Sequence, residues 1–256
     1  MDFLNDFTSL VRKAVDDFNM ISEGDHIAVG VSGGKDSLVL LRSLAHLQGY
    51  YPKHFELSAI TIEVGFPNMD FEPVAKLCSS LNVPYTRVKT DIREIIFDVR
   101  KESNPCSLCS KMRRGSLNDT IREQGISKLA LGHHKDDVIE TFLMSLLFEG
   151  RINCFRPLTF LDRSGVTQIR PMIYADEPRI ERLAERLELP VVQNTCPEDK
   201  ESKRREIKEL IASLETSYPD IKNKIFGAIK RMPLPGWRTP AARGAAPAIE
   251  LPLEKN

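Results

Sequence analysis

The stretch Ser32-Gly33-Gly34-Lys35-Asp36-Ser37 closes an apolar run, turns on two glycines and opens a helix-period segment at Asp36. These residue types suit the binding of an anion, above all a phosphate. Glycine lets backbone N–H groups approach an anion closely, and a helix N-terminus adds its positive dipole end. Ser32, Lys35 and Ser37 supply further donors. The pattern is not a Walker A loop, whose second glycine stands four residues on and precedes Lys and Ser/Thr, nor a dinucleotide fingerprint, which needs a third glycine. Packing does not explain the stretch either, because it contains no apolar residue.

A second constellation is built on sulfur. Cys106 and Cys109 form a C-x-x-C pair between Pro105 and a cationic run. A redox dithiol, a zinc site and an iron–sulfur cluster all use such a pair, and the pair alone does not choose among them. Cys196 follows a short strand-like run and precedes a helix, so it lies on a loop able to meet the first two. Cys78 and Cys154 occupy core-like positions. That leaves three ligands, enough for a cluster with one open iron and also for a catalytic zinc. A persulfide and disulfide pair without any metal is a further alternative.

Charge surrounds both constellations. Lys111, Arg113 and Arg114 fall within two turns of Cys109, and Lys203, Arg204, Arg205 and Lys208 follow Cys196, so two basic helix starts would face a polyanion. Lys222, Lys224, Lys230 and Arg231 are expected to extend the patch. No aromatic ladder offers base stacking, so recognition would rest on phosphate contacts and shape. Asp136 and Asp137 open another helix beside a strand end. They are expected to cap backbone N–H groups and to offer a magnesium ligand or a polarising acid. His133 and His134 stand beside them, one as an orienting group and one as a structural histidine.

The elements that position these groups alternate. Residues 26–32, 57–64, 85–91 and 128–134 read as strands, their continuous Val, Ile, Leu and Ala predicting cover on both faces. Residues 36–48, 70–82, 109–125 and 136–150 have helical spacing. The alternation predicts an α/β domain with a doubly wound parallel sheet. Residues 155–174 read as a hairpin extension around Arg163-Ser164-Gly165, and 176–189 and 200–232 as helical stretches. The organisation expected is an N-terminal helix over 1–24, the main domain over 25–232, and a flexible tail over 233–256 with Trp237 docked.

Composition narrows the class. Among 256 residues, 36 basic and 36 acidic side chains cancel, so a polyanion must be met by a local patch. An apolar share of 41% is ample for a core, and five cysteines, an odd number, argue for thiol or metal chemistry over a secreted disulfide framework. The N-terminal residues are helical in spacing and carry no leader-like apolar core, and no run is expected to cross a bilayer. A cytoplasmic protein is predicted.

The loop resembles that of the ATP-pyrophosphatase (PP-loop) superfamily, and Leu131-Gly132-His133-His134-Lys135-Asp136-Asp137 is similar to the second signature of its tRNA-modifying branch. With Pro105–Gly115 and Asn194–Ile211, the chain from about Phe3 to Trp237 resembles the tRNA 2-thiocytidine synthetase (TtcA) family. The resemblance implies a Rossmann-like fold of the adenine nucleotide alpha hydrolase type with a helical C-terminal extension. It implies ATP on residues 32–37 with Gly132 and His133, adenine over Ile62–Val64, and Mg2+. Lys35, Asp36, Arg113, Asp136 and Asp137 become the catalytic candidates. It implies a [4Fe-4S] cluster on Cys106, Cys109 and Cys196. The family's bacterial members often carry a second C-x-x-C at the last position, where this chain has Cys196 alone, followed by Pro197, Glu198 and Asp199. The reaction implied adenylates the C2 oxygen of a tRNA pyrimidine, most readily cytidine 32, and sulfur carried on the open iron then attacks C2 and expels AMP. The donor is sulfide or a cysteine desulfurase system. The family's dimers imply a homodimer, for which the apolar N-terminal helix is the expected surface. A zinc-containing RNA-binding module, its nucleotide loop only regulatory, is the reading from another class.

Overall fold

Apolar runs such as Ile27–Val29 need neighbours on both sides, and the sheet provides them. A computed structural model describes residues 3–102, 105–196, 203–232 and 237. Its elements run α1 (Phe3–Asp17), β1 (Asp25–Gly30), α2 (Lys35–Gln48), β2 (Phe55–Glu63), α3 (Glu72–Ser80), β3 (Tyr85–Lys89), a π-helical segment (Glu94–Val99), α4 (Pro105–Glu123), β4 (Lys128–Ala130), α5 (Lys135–Glu149), β5 (Leu158–Leu161), β6 (Val166–Ile169), α6 (Glu177–Arg186), α7 (Lys203–Ser217) and α8 (Ile221–Arg231). The six strands lie in the order β3-β2-β1-β4-β6-β5, parallel except for the edge strand β5. The expected doubly wound α/β sheet is present.

Alternation along each strand divides the core. Ile27, Val29, Leu57, Ala59, Ala130 and Ile169 face one side, where α1, α2, α5 and α6 bury Val11, Leu38, Leu41, Ile139 and Ile180. Ala28, Ile60, Ile62, Leu129 and Val166 face the other, covered by Ile96 of the π-helical segment and Ile121 of α4. This second cover is thinner. The carboxyl ends of β1, β2, β4 and β6 therefore open into space beneath the start of α4, the usual ligand position in such sheets.

Several elements differ from expectation for local reasons. β4 ends at Ala130, and residues 131–134 run as a loop to α5, where the His134 N–H donates to Asp137 Oδ2 at 3.0 Å. α4 starts at Pro105, a residue suited to a first helical turn, so Cys106 and Cys109 share one helix face. The hairpin is no appendage: β6 pairs in parallel with β4 and completes the sheet. The stretch 200–232 divides into α7 and α8 at Tyr218–Asp220, with Asp220 at a left-handed φ of 71°. The apolar face of α1 is buried in the chain's own core, which removes it as a dimer surface. Trp237 is 1% exposed, edge-on to Phe18 and Phe226. The rest of the expected tail lies outside the described residues.

Candidate active site

The phosphate loop is held by its own side chains. Ser37 Oγ donates to the Gly34 carbonyl at 2.9 Å and accepts the Ser32 N–H at 3.1 Å, while the Gly34 N–H donates to Ser32 Oγ at 3.3 Å. Gly34 caps α2 without a side chain, leaving first-turn N–H groups open to an anion. Gly33 has φ +86°, and a Cβ there would stand 2.9 Å from Val192. At Gly132 a Cβ would approach the Asp36 carbonyl carbon to 3.1 Å, so glycine lets the 131–134 loop lie against the first turn of α2.

A chain of alternating charges surrounds the loop. Lys35 Nζ donates to Glu177 Oε1 at 2.9 Å and lies 3.6 Å from Glu181 and 3.8 Å from Asp36. Burial lowers the Lys35 affinity for its proton, but the Glu177 hydrogen bond and the surrounding carboxylates outweigh it and raise the pKa. Burial works against the Glu177 carboxylate, yet its bonds to Lys35 and Lys208 bring it down to about 2. Burial raises Asp36, whose Oδ1 is shielded from water and makes no hydrogen bond. Asp137 accepts from Arg204 at 2.7 Å and borders the cavity described next. Asp136 does not. Its Oδ2 accepts the Glu177 N–H at 2.8 Å and its Oδ1 meets Lys222 at 3.2 Å. The tandem carboxylates thus diverge, Asp137 toward the cavity and Asp136 into a tether joining α5, α6 and α8.

The cavity measures about 560 Å³ and runs from Ile60 and Ile62, past Ser32, Asp36 and Ser37, to His133, Gln168 and Arg170, roofed by Arg113, Arg114 and Leu117 of α4. His133 Nδ1 accepts from Arg170 Nε at 3.2 Å, placing the ring proton on Nε2. Burial, reinforced by the Arg170 charge, lowers the His133 pKa to about 4. Burial likewise takes Arg170 down to about 10. Sequence reasoning missed Phe155, Gln168 and Arg170. The polar pair Gln168 and Arg170 in an otherwise apolar stretch was the available signal, but a hairpin read as an extension gave it no site to face.

A second cavity of about 360 Å³ is bordered by Cys106, Cys109 and Cys196 with Gly34, Phe66, Phe97, Val192 and Asn194. It shares Ser32, Ile62, Ser110 and Arg113 with the first. Burial raises the Cys109 thiol pKa, Arg113 pulls it back, and Cys196 and Cys106 are close enough to oppose its ionisation. The segment carrying Cys196 is anchored at two points, the Val192 N–H donating to the Gly33 carbonyl at 2.9 Å and Thr195 Oγ1 to the Pro67 carbonyl at 2.9 Å, and turns locally where the Cys196 N–H donates to Asn194 Oδ1 at 3.1 Å. No group of three or more His, Cys, Asp or Glu among the described residues is placed to hold one metal ion. Three thiols around one cavity form a donor set of the kind used by an iron–sulfur cluster and by a zinc ion. Cys78 and Cys154 are buried in the core.

The expected basic patch is partly exposed, and several of its cations are already paired along its inner edge. Arg204 reaches Asp137 and Glu140, Lys208 reaches Glu177 and Glu140, Lys222 pairs with Asp136 and Glu215, and Lys230 lies 4.6 Å over the Tyr174 ring. Lys203 pairs with Glu206 on an exposed face. Arg204, Lys208 and Lys222 are thus neutralised by buried or half-buried carboxylates while their side chains stay partly exposed. Lys111, Arg113 and Arg114 form no ion pair among the described residues. Among those residues no helix is long and apolar enough to cross a membrane.

The chain is similar to known proteins in both sequence and fold. A PP-loop domain model matches residues 5–214. The tRNA-cytidine(32) 2-sulfurtransferase of Dichelobacter nodosus is 39% identical over 224 residues, 87% of this chain and 84% of its own. That of Pelobacter propionicus is 40% identical over 225 residues, again 87% and 84%. Among solved structures, the U34-tRNA thiolase NcsA from Methanococcus maripaludis with its [4Fe-4S] cluster superposes with a TM-score of 0.74 at 28% identity, covering 90% of this chain and 78% of that one. The chain belongs to the PP-loop family and, within it, to the tRNA-cytidine(32) 2-sulfurtransferase (TtcA) family.

Proposed function

We propose that the protein is an ATP-dependent tRNA thiolase acting on cytidine 32. The observation that carries this reading is the shared wall: Ser32, Ile62, Ser110 and Arg113 border both the phosphate-loop cavity and the cysteine cavity, so an activated base and a sulfur source would meet across one partition. Adenine lies against Ile62, and Gly132 and His133 border the nucleotide. The triphosphate lies on Ser32–Ser37 and the first turn of α2, with Lys35 moving from Glu177 to phosphate oxygens. Asp36, whose buried Oδ1 makes no hydrogen bond, and Asp137 are suited to hold Mg2+, whose remaining ligands are phosphate oxygens and water.

The C2 oxygen of the base attacks the α-phosphorus, the bond to pyrophosphate breaks, and Arg113 faces the developing charge from the partition. Cys106, Cys109 and Cys196 are the residues suited to hold a [4Fe-4S] cluster, which supplies an iron without a protein ligand to bind the donated sulfur. The donor is sulfide or a desulfurase system. Arg113, which borders both cavities, Arg114, which borders the first, and Lys111 on the same helix form no ion pair among the described residues and receive the tRNA backbone. The family's expected homodimer needs a surface other than α1. As a tRNA-modifying enzyme the protein would work in the cytoplasm.

Anaerobically purified protein given ATP, Mg2+, sulfide and tRNA is expected to release AMP and pyrophosphate and to leave 2-thiocytidine at position 32, read by nucleoside mass spectrometry. ATP turnover without a thiolated nucleoside would sink the sulfur-transfer reading. An iron-free protein with full activity would sink the cluster.

A further inference from the structure

Arg170 is 6% exposed and lines the end of the nucleotide cavity, yet no carboxylate among the described residues pairs with it. Its donors go to neutral acceptors: His133 Nδ1 at 3.2 Å, the Arg156 carbonyl at 2.6 Å, Thr159 Oγ1 at 3.3 Å and Gln168 Oε1 at 3.3 Å. The last contact fixes the Gln168 amide, because a guanidinium only donates. Gln168 Nε2 therefore remains as an oriented donor. It is shielded from water without a partner, on a side chain 4% exposed that borders the same cavity. A dehydrated N–H without an acceptor is costly to the fold, and a locked one at a cavity wall points to an acceptor brought by a ligand.

The sheet order indicates which ligand. Ile62, the adenine contact, stands at the carboxyl end of β2, and Gln168 stands at that of β6. β1 and β4 lie between them, so the two ends are three strand spacings apart, roughly 14 Å. The phosphate loop leaves β1 in the middle. A base stacked at Ile62 does not reach Gln168, whereas a second base approaching the α-phosphate from the β6 side does. Phe155 flanks that end, its ring 4.9 Å from both the Arg170 guanidinium and the His133 ring.

We propose that Gln168, locked by Arg170, determines specificity for the target base by donating its Nε2–H to the ring N3 of cytosine. Cytosine presents a lone pair at N3, where uracil presents an N–H, so the fixed donor accepts one pyrimidine and opposes the other. The same bond draws electron density from C2, the carbon that sulfur must attack. This inference rests on the thiolase reading and on adenine lying at Ile62.

The test uses two tRNA transcripts that differ only by C or U at position 32, with wild-type protein, Gln168→Leu and Gln168→Glu. A non-hydrolysable ATP analogue measures nucleotide binding separately and reports that each variant is folded. Gln168→Leu is expected to lose 10- to 100-fold in kcat/KM for the C transcript with analogue affinity changed less than twofold. Gln168→Glu is expected to narrow the C-over-U preference at least tenfold, because a carboxylate accepts the uracil N3–H. An unchanged preference in Gln168→Glu overturns the inference. So does a tenfold loss of analogue affinity in Gln168→Leu, which would assign Gln168 to the adenine. Wild-type protein that thiolates neither transcript overturns the thiolase reading itself, a distinguishable result.

Discussion

The two cavities on either side of Ser32, Ile62, Ser110 and Arg113 are built in different ways. The nucleotide cavity is assembled at the ends of β1, β2, β4 and β6, and its loop is braced by hydrogen bonds among residues 32–37. The cysteine cavity combines one helix start with the 190–196 segment, which is anchored through two long-range hydrogen bonds. Local backbone chemistry specifies the phosphate loop of the first, while long-range docking brings Cys196 to the second. Besides that shared wall, the two are linked by a hydrogen-bonded joint, from the Val192 N–H to the Gly33 carbonyl. Loss of function should therefore divide between residues that border one cavity alone, while the joint and the shared wall affect both.

The largest expected effect isolates the cysteine side. Cys196→Ser is expected to abolish thiolation and bound iron while ATP affinity, read by equilibrium binding, stays within about twofold. Retained thiolation would remove Cys196 from the ligand set. The mirror experiment is Asp36→Asn, expected to cut AMP formation by roughly 10²- to 10³-fold with iron content unchanged. Gly33→Ala tests the joint itself. A methyl group 2.9 Å from Val192 at a φ of +86° is expected to cost about 1–3 kcal/mol of stability in denaturant unfolding and to weaken ATP and iron binding together. If only ATP binding suffers, the two cavities are not coupled through this contact.

Smaller effects sharpen the nucleotide side. His133 titrates at 6.5 ordinarily and about 4 when folded. The unfolded chain therefore takes up the extra proton first as pH falls between these values, and stability is lost over that window. Between pH 7 and pH 5 the loss is on the order of 2 kcal/mol, and His133→Gln is expected to flatten the profile of unfolding midpoints. Glu177 holds Lys35 and Lys208 at once, so Glu177→Gln is expected to free Lys35 and tighten ATP about threefold. Weaker binding would instead make Glu177 the group that positions Lys35.

The phosphate loop was legible because its donors are contiguous: a strand end, two glycines and a helix start fix where the backbone N–H groups go. The C-x-x-C pair was legible for the same reason, since three positions on one helix share a face. What misled was charge. Lys208, Arg204 and Lys222 read as an unpaired surface patch, but Glu140 and Asp136, 2% and 4% exposed, take them as counter-ions. Linear spacing carries no information about which buried acid a cation will meet.

By itself, the sequence determined the alternating strands and helices, the phosphate loop, the helix-borne cysteine pair and the membership of the PP-loop family. Each follows from neighbours within a turn or two of one another. Only the tertiary structure decided that Asp137 borders the cavity while Asp136 ties α5 to α6 and α8. It alone inserted β6 beside β4, so that Gln168 and Arg170 line the cavity beside the phosphate loop, and it alone brought Cys196 to the far side of that loop. Those outcomes depend on strand order and on competition among buried charges, and both are settled only when distant segments pack against one sheet.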